Sequence, residues 1–405
     1  MERVKKRVLI HSLIFPPDQV STSYLYGDIA QKIINSGYEV VVLTTYPHYN
    51  FNKNFKKDSK WGFFWRKTDF FGATVYHFPQ KKSNSSVVRG GYLLLFHLAF
   101  FVKVMAMKKF HFILTPSPPI TSGLLSGIVA KLRGAKAIYN VQEVYPDVLI
   151  KQGSIKNKSI IKFLQLIEKY TYLFSDKVVT IDELFSRKIE GRLPNEKLLC
   201  IPNFIDTELY KPYMGDFSEE LIFDNKFIIG YVGNLGKVQD WDLILRVVEI
   251  LKNDFDKHFL IIGGGSEYEK LKAKEAIFPN LTVWSYQSRE KIPQINFRID
   301  LHVIAMTKAS DYDGLPSKVF AILSTGRPIL ASTNVDSPLS GILKRSKNGV
   351  VVPLGDAEGM SEKIQKISNG YLLNGTNELG REFVINEFSK EVVTSRYVNL
   401  IKELK

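Results

Sequence analysis

The sequence predicts two α/β domains in tandem, each a doubly wound parallel sheet, and three observations predict it. Apolar runs of strand length recur without polar alternation, the pattern of strands buried on both faces. Each run is followed by a turn and a helical stretch, the alternation that builds parallel sheets. The rhythm begins at Val8 and begins again at Phe227. A chain of 405 residues, 45% hydrophobic and 24% charged, has a globular composition and the length for two or three domains.

In chain order, the first strand covers Val8 to Ile14 and is followed by the turn Pro16-Pro17-Asp18 and a helix from about Ser23 to Ser36, ended by Gly37. Further strands are Val40 to Leu43, Phe112 to Thr115, Ala137 to Val141 and Lys177 to Ile181. The boundary falls between Ile201 and Pro212, giving domains 1–205 and 206–388, with 389–405 a closing helix expected to pack back on the first domain. The second rhythm runs through strand Phe227 to Val232, helix Asp242 to Lys252, strand His258 to Ile262, Gly263-Gly264-Gly265 and a helix through Lys274. Strands Leu281 to Trp284, Leu301 to Ala305, Pro328 to Ala331 and Gly349 to Val352 complete it. Pro316 suits a first helical position and Gly326 the residue past a helix end, so a helix is predicted over 316–325.

Lys and Arg total 55 against 41 Asp and Glu, a net charge of +14. Residues 1–200 hold 30 basic and 14 acidic side chains, a net +16; the remainder, with 25 and 27, comes to −2. Residues 51–110 alone carry 12 basic and 2 acidic groups. A field segregated in this way faces polyanions or an anionic membrane. The single cysteine, Cys200, excludes an intramolecular disulfide framework and a multi-cysteine metal site, and fits a reducing cytosol. Met1 to Arg7 is basic, but the apolar run after it contains His11, stops at Pro16-Pro17 and meets no small-residue cleavage signal, so it reads as a strand and not a secretory peptide.

The longest apolar stretch, Gly91 to Met107, includes His97 and Lys103 and falls short of the roughly 20 residues that cross a bilayer. Basic residues flank it: Lys81, Lys82 and Arg89 before, Lys108 and Lys109 after. Two readings follow, a helix packed in the domain core and a helix partly sunk in the membrane interface.

Ligands of doubly wound sheets sit at the carboxyl ends of strands, and with two such sheets the cleft between them is the expected site. The first strand leads into FPPDQVSTSYLYG, without the G-x-G-x-x-G of dinucleotide binding, and no P-loop is present. No histidine spacing suits a metal, so neither a catalytic metal nor a resident cofactor is expected. Four segments carry candidate chemistry. In GYVGNLGKVQ, 230–239, Gly233 and Gly236 allow close backbone approach, while Asn234 and Lys237 offer a neutral and a charged donor to phosphate; a plain βα turn reads the same way. In DGLPSKVFAILSTG, 313–326, Lys318 falls in a first helical turn, where a cation is unfavourable unless an anion binds; otherwise it is a surface lysine. In NVQEVYPDVLIKQG, 140–153, Gln142, Glu143, Tyr145 and Asp147 follow a strand, and Glu143 is placed to orient or deprotonate a hydroxyl, or else a carboxylate caps the next helix. Ser21, Thr22 and Ser23 precede a helix and offer a cap with free N–H groups.

With these segments in this order the chain resembles the family 4 glycosyltransferases of GT-B fold, two Rossmann-like domains facing across a nucleotide-sugar cleft. Within them it is similar to the branch of colanic-acid glycosyltransferases and fucosaminyltransferases. The residues that carry the resemblance are FPPD, TTYPHYN at 44–50, QEVYPD at 142–147, GNLGKVQ at 233–239, IIGGGSEYEKL at 261–271 and DLHVIAM through GLPSKVFAILSTGRPIL at 300–330. The chain departs from the family's widespread donor site. The usual glutamate pair falls at Asp313 and Ala321, the usual Arg and Lys at Asn234 and Gln239, and the usual first-domain glycines near Val20 and Ser21. The resemblance therefore moves the diphosphate to Lys237 and Lys318, assisted by the amides near Leu315 and Ser317. Ser21, Gly233, Asn234 and Gly264 join them at the donor, Asp313 lies on the donor sugar, and Glu143 takes the acceptor.

The resemblance implies retaining transfer of a sugar from a UDP-linked donor to a lipid-linked glycan in surface-polysaccharide synthesis, O-antigen or capsule. It implies a cytoplasmic enzyme held peripherally on the anionic inner face of the cell membrane. The alternatives are a GT-B nucleotide-sugar 2-epimerase, against which the cleft segments are poor in carboxylates and histidines, and a non-catalytic basic membrane-binding protein. No basic–aromatic nucleic-acid motif occurs, and no nucleic-acid partner is expected.

Overall fold

The computed structural model describes residues 5–47, 60–62, 64–80, 83, 85–215, 217, 226–312, 314–370 and 377–404. Expected features at residues 48–50, Lys81, Lys82 and Asp313 lie outside them. The chain forms two compact units, Met1–Asn203 with Val393–Lys405, and Phe204–Val392.

The first unit contains β1 (Arg7–His11), α1 (Ser21–Asn35), β2 (Glu39–Thr45), β3 (Lys60–Gly62), β4 (Trp65–Phe70), β5 (Ala73–Phe78), α2 (Ser86–Ala106), β6 (Phe112–Pro116), α3 (Ile120–Arg133), β7 (Lys136–Val141), α4 (Asp147–Lys151), α5 (Lys158–Phe174), β8 (Lys177–Thr180), α6 (Glu183–Ile189) and β9 (Leu198–Cys200). Its nine strands lie in the order β3-β4-β5-β2-β1-β6-β7-β8-β9. Pairing is parallel from β5 to β9 and antiparallel through β3, β4 and β5. The central strands read as apolar runs because both faces are covered; Val8, Leu9 and Ile10 are fully buried. The antiparallel edge escaped the apolar-run criterion, since β4 reads WRKTDF and exposes alternate residues.

The second unit contains β10 (Phe227–Asn234), α7 (Trp241–Ile250), β11 (Lys257–Gly264), α8 (Tyr268–Lys272), β12 (Leu281–Trp284), α9 (Ile292–Arg298), β13 (Leu301–Ala305), α10 (Lys318–Ser324), β14 (Ile329–Ser332), α11 (Pro338–Ser346), β15 (Gly349–Val352), α12 (Ala357–Ser368) and α13 (Glu378–Phe388), and α14 (Lys390–Glu403) follows. Its sheet is wholly parallel, in the order β12-β11-β10-β13-β14-β15. Successive strands run one way from β10 and the other way from β13, so the order reverses between these two neighbours. A crevice at that reversal, beyond the strands' carboxyl ends, is where such sheets take ligands.

Three local expectations are corrected. The first strand ends at His11 rather than Ile14. Helix α1 starts at Ser21, two residues early; extended Val20 is its cap and no side chain caps it, so Ser21 is a first-turn residue and not the cap. Helix α10 starts at Lys318, not Pro316: the Val319 N–H donates to the Pro316 carbonyl at 3.1 Å, a tight turn that leaves Pro316 outside the helix. Its end is as expected, with the Thr325 and Gly326 amides donating to the Ile322 and Leu323 carbonyls.

Helix α2 buries one apolar row in the core, as the first of its two readings expects, and exposes another. Phe96, Phe100 and Val104, spaced by four, are buried in a cluster with Trp65, Phe78 and Ile113. The opposite row, Leu94, Leu98 and Val102, is more than half exposed. Phe100→Ala should therefore cost about 3–5 kcal/mol in urea denaturation, whereas Leu98→Ala should change stability by about 0.5 kcal/mol or less.

Candidate active site

In the second unit, two glycines fix how the loop ends of β10 and β11 meet at the switch point. Gly263, with φ of 154°, pairs with Gly233, and a Cβ on it would lie 1.8 Å from the Gly233 carbonyl oxygen. No larger residue fits without separating the two strands. Gly233 has φ of 145°, and a Cβ there would lie 2.9 Å from the Lys318 ammonium. The missing side chain is thus the space that Lys318 occupies. Two residues back on the same strand face, the buried Tyr231 ring supports the ammonium, whose Nζ sits 3.4 Å from the ring centroid. The Tyr231 hydroxyl donates to the Asn234 carbonyl at 2.9 Å, and Trp241 packs edge-on against its ring.

Lys318 makes no ion pair among the described residues, and burial of the ammonium pulls its pKa down to about 7. The residue as a whole is half-buried, while its ammonium end is shielded from water. A desolvated cation of this kind, beside strand-end backbone, can receive a diphosphate. The other expected donor contacts are distributed around it in sequence. Asn234, the last residue of β10, and Lys237, in the turn after it, are both exposed. Gly264 ends β11, where a Cβ would meet the Tyr286 ring at 2.5 Å. Leu315 packs partly into the cluster of Val319, Phe320 and Ile304, and exposed Ser317 precedes Lys318 without capping α10. Gln239, at the position of the family's usual lysine, is buried, with its Nε2 3.5 Å from the Met306 sulfur.

The sequence reading missed two supports here. Tyr231 was read only as a strand residue, although its spacing from Gly233 places both on one strand face. Asp311 is buried and accepts from Thr333 Oγ1, from the Asn334 backbone N–H at 3.1 Å and from Asn334 Nδ2 at 2.6 Å, which fastens the segment before Asp313 to the end of β14. Only a contact 22 residues away reveals this role.

In the first unit, Glu143 is exposed on the turn after β7 and caps no helix. Its backbone is fixed by Ser117, whose Oγ accepts from the Gln142 N–H at 2.9 Å and the Glu143 N–H at 3.2 Å. The Tyr145 phenol is pushed up to about 12 by burial and by the Glu143 carboxylate it bonds. Asp147 is not presented as the sequence suggested, because Arg192 holds it in a two-point ion pair and also binds Glu168. Gln142 is tied to Asn203 by reciprocal amide bonds of 3.1 and 2.9 Å. Ser21 is exposed in the first turn of α1, and beneath it the Ser23 hydroxyl is buried without a hydrogen-bond partner.

The folded pKa of Lys318 lies below its ordinary value, so holding the charge costs stability. That cost is fully present below about pH 7 and fades as pH rises toward 10.5. Lys318→Met should therefore raise Tm at about pH 6, with a gain that shrinks by about pH 9, as read by scanning calorimetry.

Residues 226–369 match the family model described as Glycosyl transferases group 1. WcaI of Escherichia coli K12, named as a candidate colanic acid biosynthesis glycosyl transferase, is 23% identical over 98% of this chain and 100% of its own. Sucrose-phosphate synthase of Thermosynechococcus elongatus superposes with a TM-score of 0.71 at 14% identity, over 99% of each chain. Anabaena HepE, solved in complex with UDP, superposes at 0.67 and 11% identity over 98% of this chain and 100% of its own. The group 1 domain occupies the unit that holds Lys318, Tyr231 and Gly233, and the two parallel α/β units are those of the GT-B fold: the protein is a glycosyltransferase.

Proposed function

We propose that the enzyme transfers a sugar, with retention, from a UDP-sugar to a lipid-linked glycan during surface-polysaccharide synthesis, at the cytoplasmic face of the cell membrane. The observation that carries the donor half is the desolvated Lys318 ammonium, without an ion-pair partner among the described residues, beside the reversal of the second sheet. The UDP bound by HepE and the colanic acid role in the name of WcaI support the choice of nucleotide and pathway class. As the bond from the anomeric carbon to the β-phosphate oxygen breaks, negative charge gathers on the leaving diphosphate. A desolvated cation beside that oxygen stabilises the charge most where water is least able to. Lys318 takes this role, Lys237 reaches the same phosphates from the turn, and the amides near Leu315 and Ser317 add neutral donors.

Loss of the proton from the acceptor hydroxyl is the other half. Glu143, held by Ser117 through its backbone, orients that hydroxyl and draws on its proton as the new glycosidic bond forms. Asp313 is assigned to the donor sugar, with Ser21, Gly233, Asn234 and Gly264 lining the donor. The nucleotide sugar is a substrate, and the reading gives the protein no resident cofactor.

A panel of nucleotide sugars incubated with membrane extract and read by UDP or GDP release tests the reaction. Turnover with a UDP-sugar is expected; turnover with GDP-sugars alone, or with none, overturns it. With the active donor, Lys318→Met should lower kcat on the order of 100- to 1,000-fold. Glu143→Gln should lower kcat while leaving the donor KM within about twofold, the split expected of a group that meets only the acceptor.

A further inference from the structure

Helix α5 carries an outward apolar row that matches the one on α2, and α3 lies between them. Phe163, Leu166 and Leu173 of α5 are 48–61% exposed, although α5 packs closely on α3 through its other side. That packing is rigid: Gly123 and Gly127 of α3 face Thr171 and Phe174 of α5, where any Cβ would clash at 2.7 Å. On its other flank α3 is joined to α2 by the His97–Thr121 hydrogen bond at 2.9 Å and by Arg133, which donates to the Met107 carbonyl at 2.6 Å. Leu132, 61% exposed, continues the apolar surface on α3 itself.

The charges on these helices have one sign. Between Asp69 and Glu143 the sequence contains no Asp or Glu, so α2 and α3 carry none. The single acid of α5, Glu168, is buried and bound to Arg192. Exposed Lys158, Lys162 and Lys169 on α5 accompany the apolar rows, as does exposed Lys131 on α3, which lies 3.9 Å from the mostly buried Asp176 carboxylate. Apolar residues with a lysine fringe and no exposed acid complement an anionic lipid surface, where methylenes enter the acyl boundary and ammonium groups meet phosphates. α2 lies along this surface and does not cross it, because Phe96, Phe100 and Val104 are fixed in the core beneath.

We propose that α2, α3 and α5 together form one anionic-bilayer docking face, with α5 a second insertion element beside α2. The proposal rests on the membrane reading given above and extends it to a second helix. Two apolar rows joined through α3 and Leu132 span a face, so the first unit would bind in one orientation rather than pivot about a single helix.

Flotation of the full chain with vesicles of phosphatidylcholine, with and without phosphatidylglycerol, tests it. Wild type should float only with phosphatidylglycerol present. Phe163→Glu/Leu173→Glu should reduce binding at least about tenfold, as should Leu98→Glu/Val102→Glu, with UDP affinity unchanged. If the first pair lowers Tm, Lys162→Glu/Lys169→Glu decides; removing two ammonium groups alone should weaken binding roughly 25-fold. Normal binding by the α5 variants alongside loss in the α2 variant overturns the proposal and leaves the single-helix membrane reading intact. Equal flotation with phosphatidylcholine alone overturns the anionic partner, and no flotation of wild type with either vesicle overturns both.

Discussion

An ammonium held out of water is unfavourable without a counter-charge, and the second unit is arranged around one that has no ion-pair partner among the described residues. Lys318 has no described ionic partner, rests on the Tyr231 ring and fills the volume that a side chain at Gly233 would take. Each of those contacts depends on another. Tyr231 is fixed by Trp241 and by its bond to the Asn234 carbonyl, and the Gly233 backbone is fixed by the approach of Gly263. The sheet topology supplies the location, since the strand order reverses between β10 and β13 and the ammonium lies against the end of β10. A bound diphosphate would supply a counter-charge, so the feature that costs the unit stability is also the one that binds the ligand.

The two units apportion different tasks to charge. In the second, a near-neutral sequence concentrates effect in single placed cations. In the first, excess positive charge is spread over helices that also expose leucine, valine and phenylalanine, and the same sheet presents Glu143 on a turn braced by Ser117. The wide basic field suits a surface, and the single desolvated lysine suits a leaving group.

Much of the fold was legible because parallel strands buried on both faces announce themselves as unbroken apolar runs; β2, β6, β7, β10, β11 and β13 were all visible in this way. The hairpin of β4 and β5 was not, because an edge strand alternates and its pairing depends on a partner. Helix starts were misplaced for a related reason. Val20 and Ser317 lead into α1 and α10 without side-chain caps, so the usual Ser, Thr and Pro signals pointed to neighbouring residues. Lys318 was legible from the turn and helix motif, but its support was not: Tyr231 and Asp311 act through contacts made only in the folded sheet. Nor could the sequence divide α2 into a core row and an exposed row, since both are equally apolar and only the position of the sheet distinguishes them.

The most direct measurement is the number of protons taken up when UDP binds, from titration calorimetry in buffers of different ionisation enthalpy at about pH 8, where UDP is already fully ionised. Lys318, with its pKa down at about 7, is then mostly neutral and must be charged to meet the diphosphate. Uptake of about 0.9 proton per UDP is predicted, vanishing in Lys318→Met. UDP binding with no proton uptake, or with the same uptake in the variant, would contradict the assignment of Lys318 to the diphosphate.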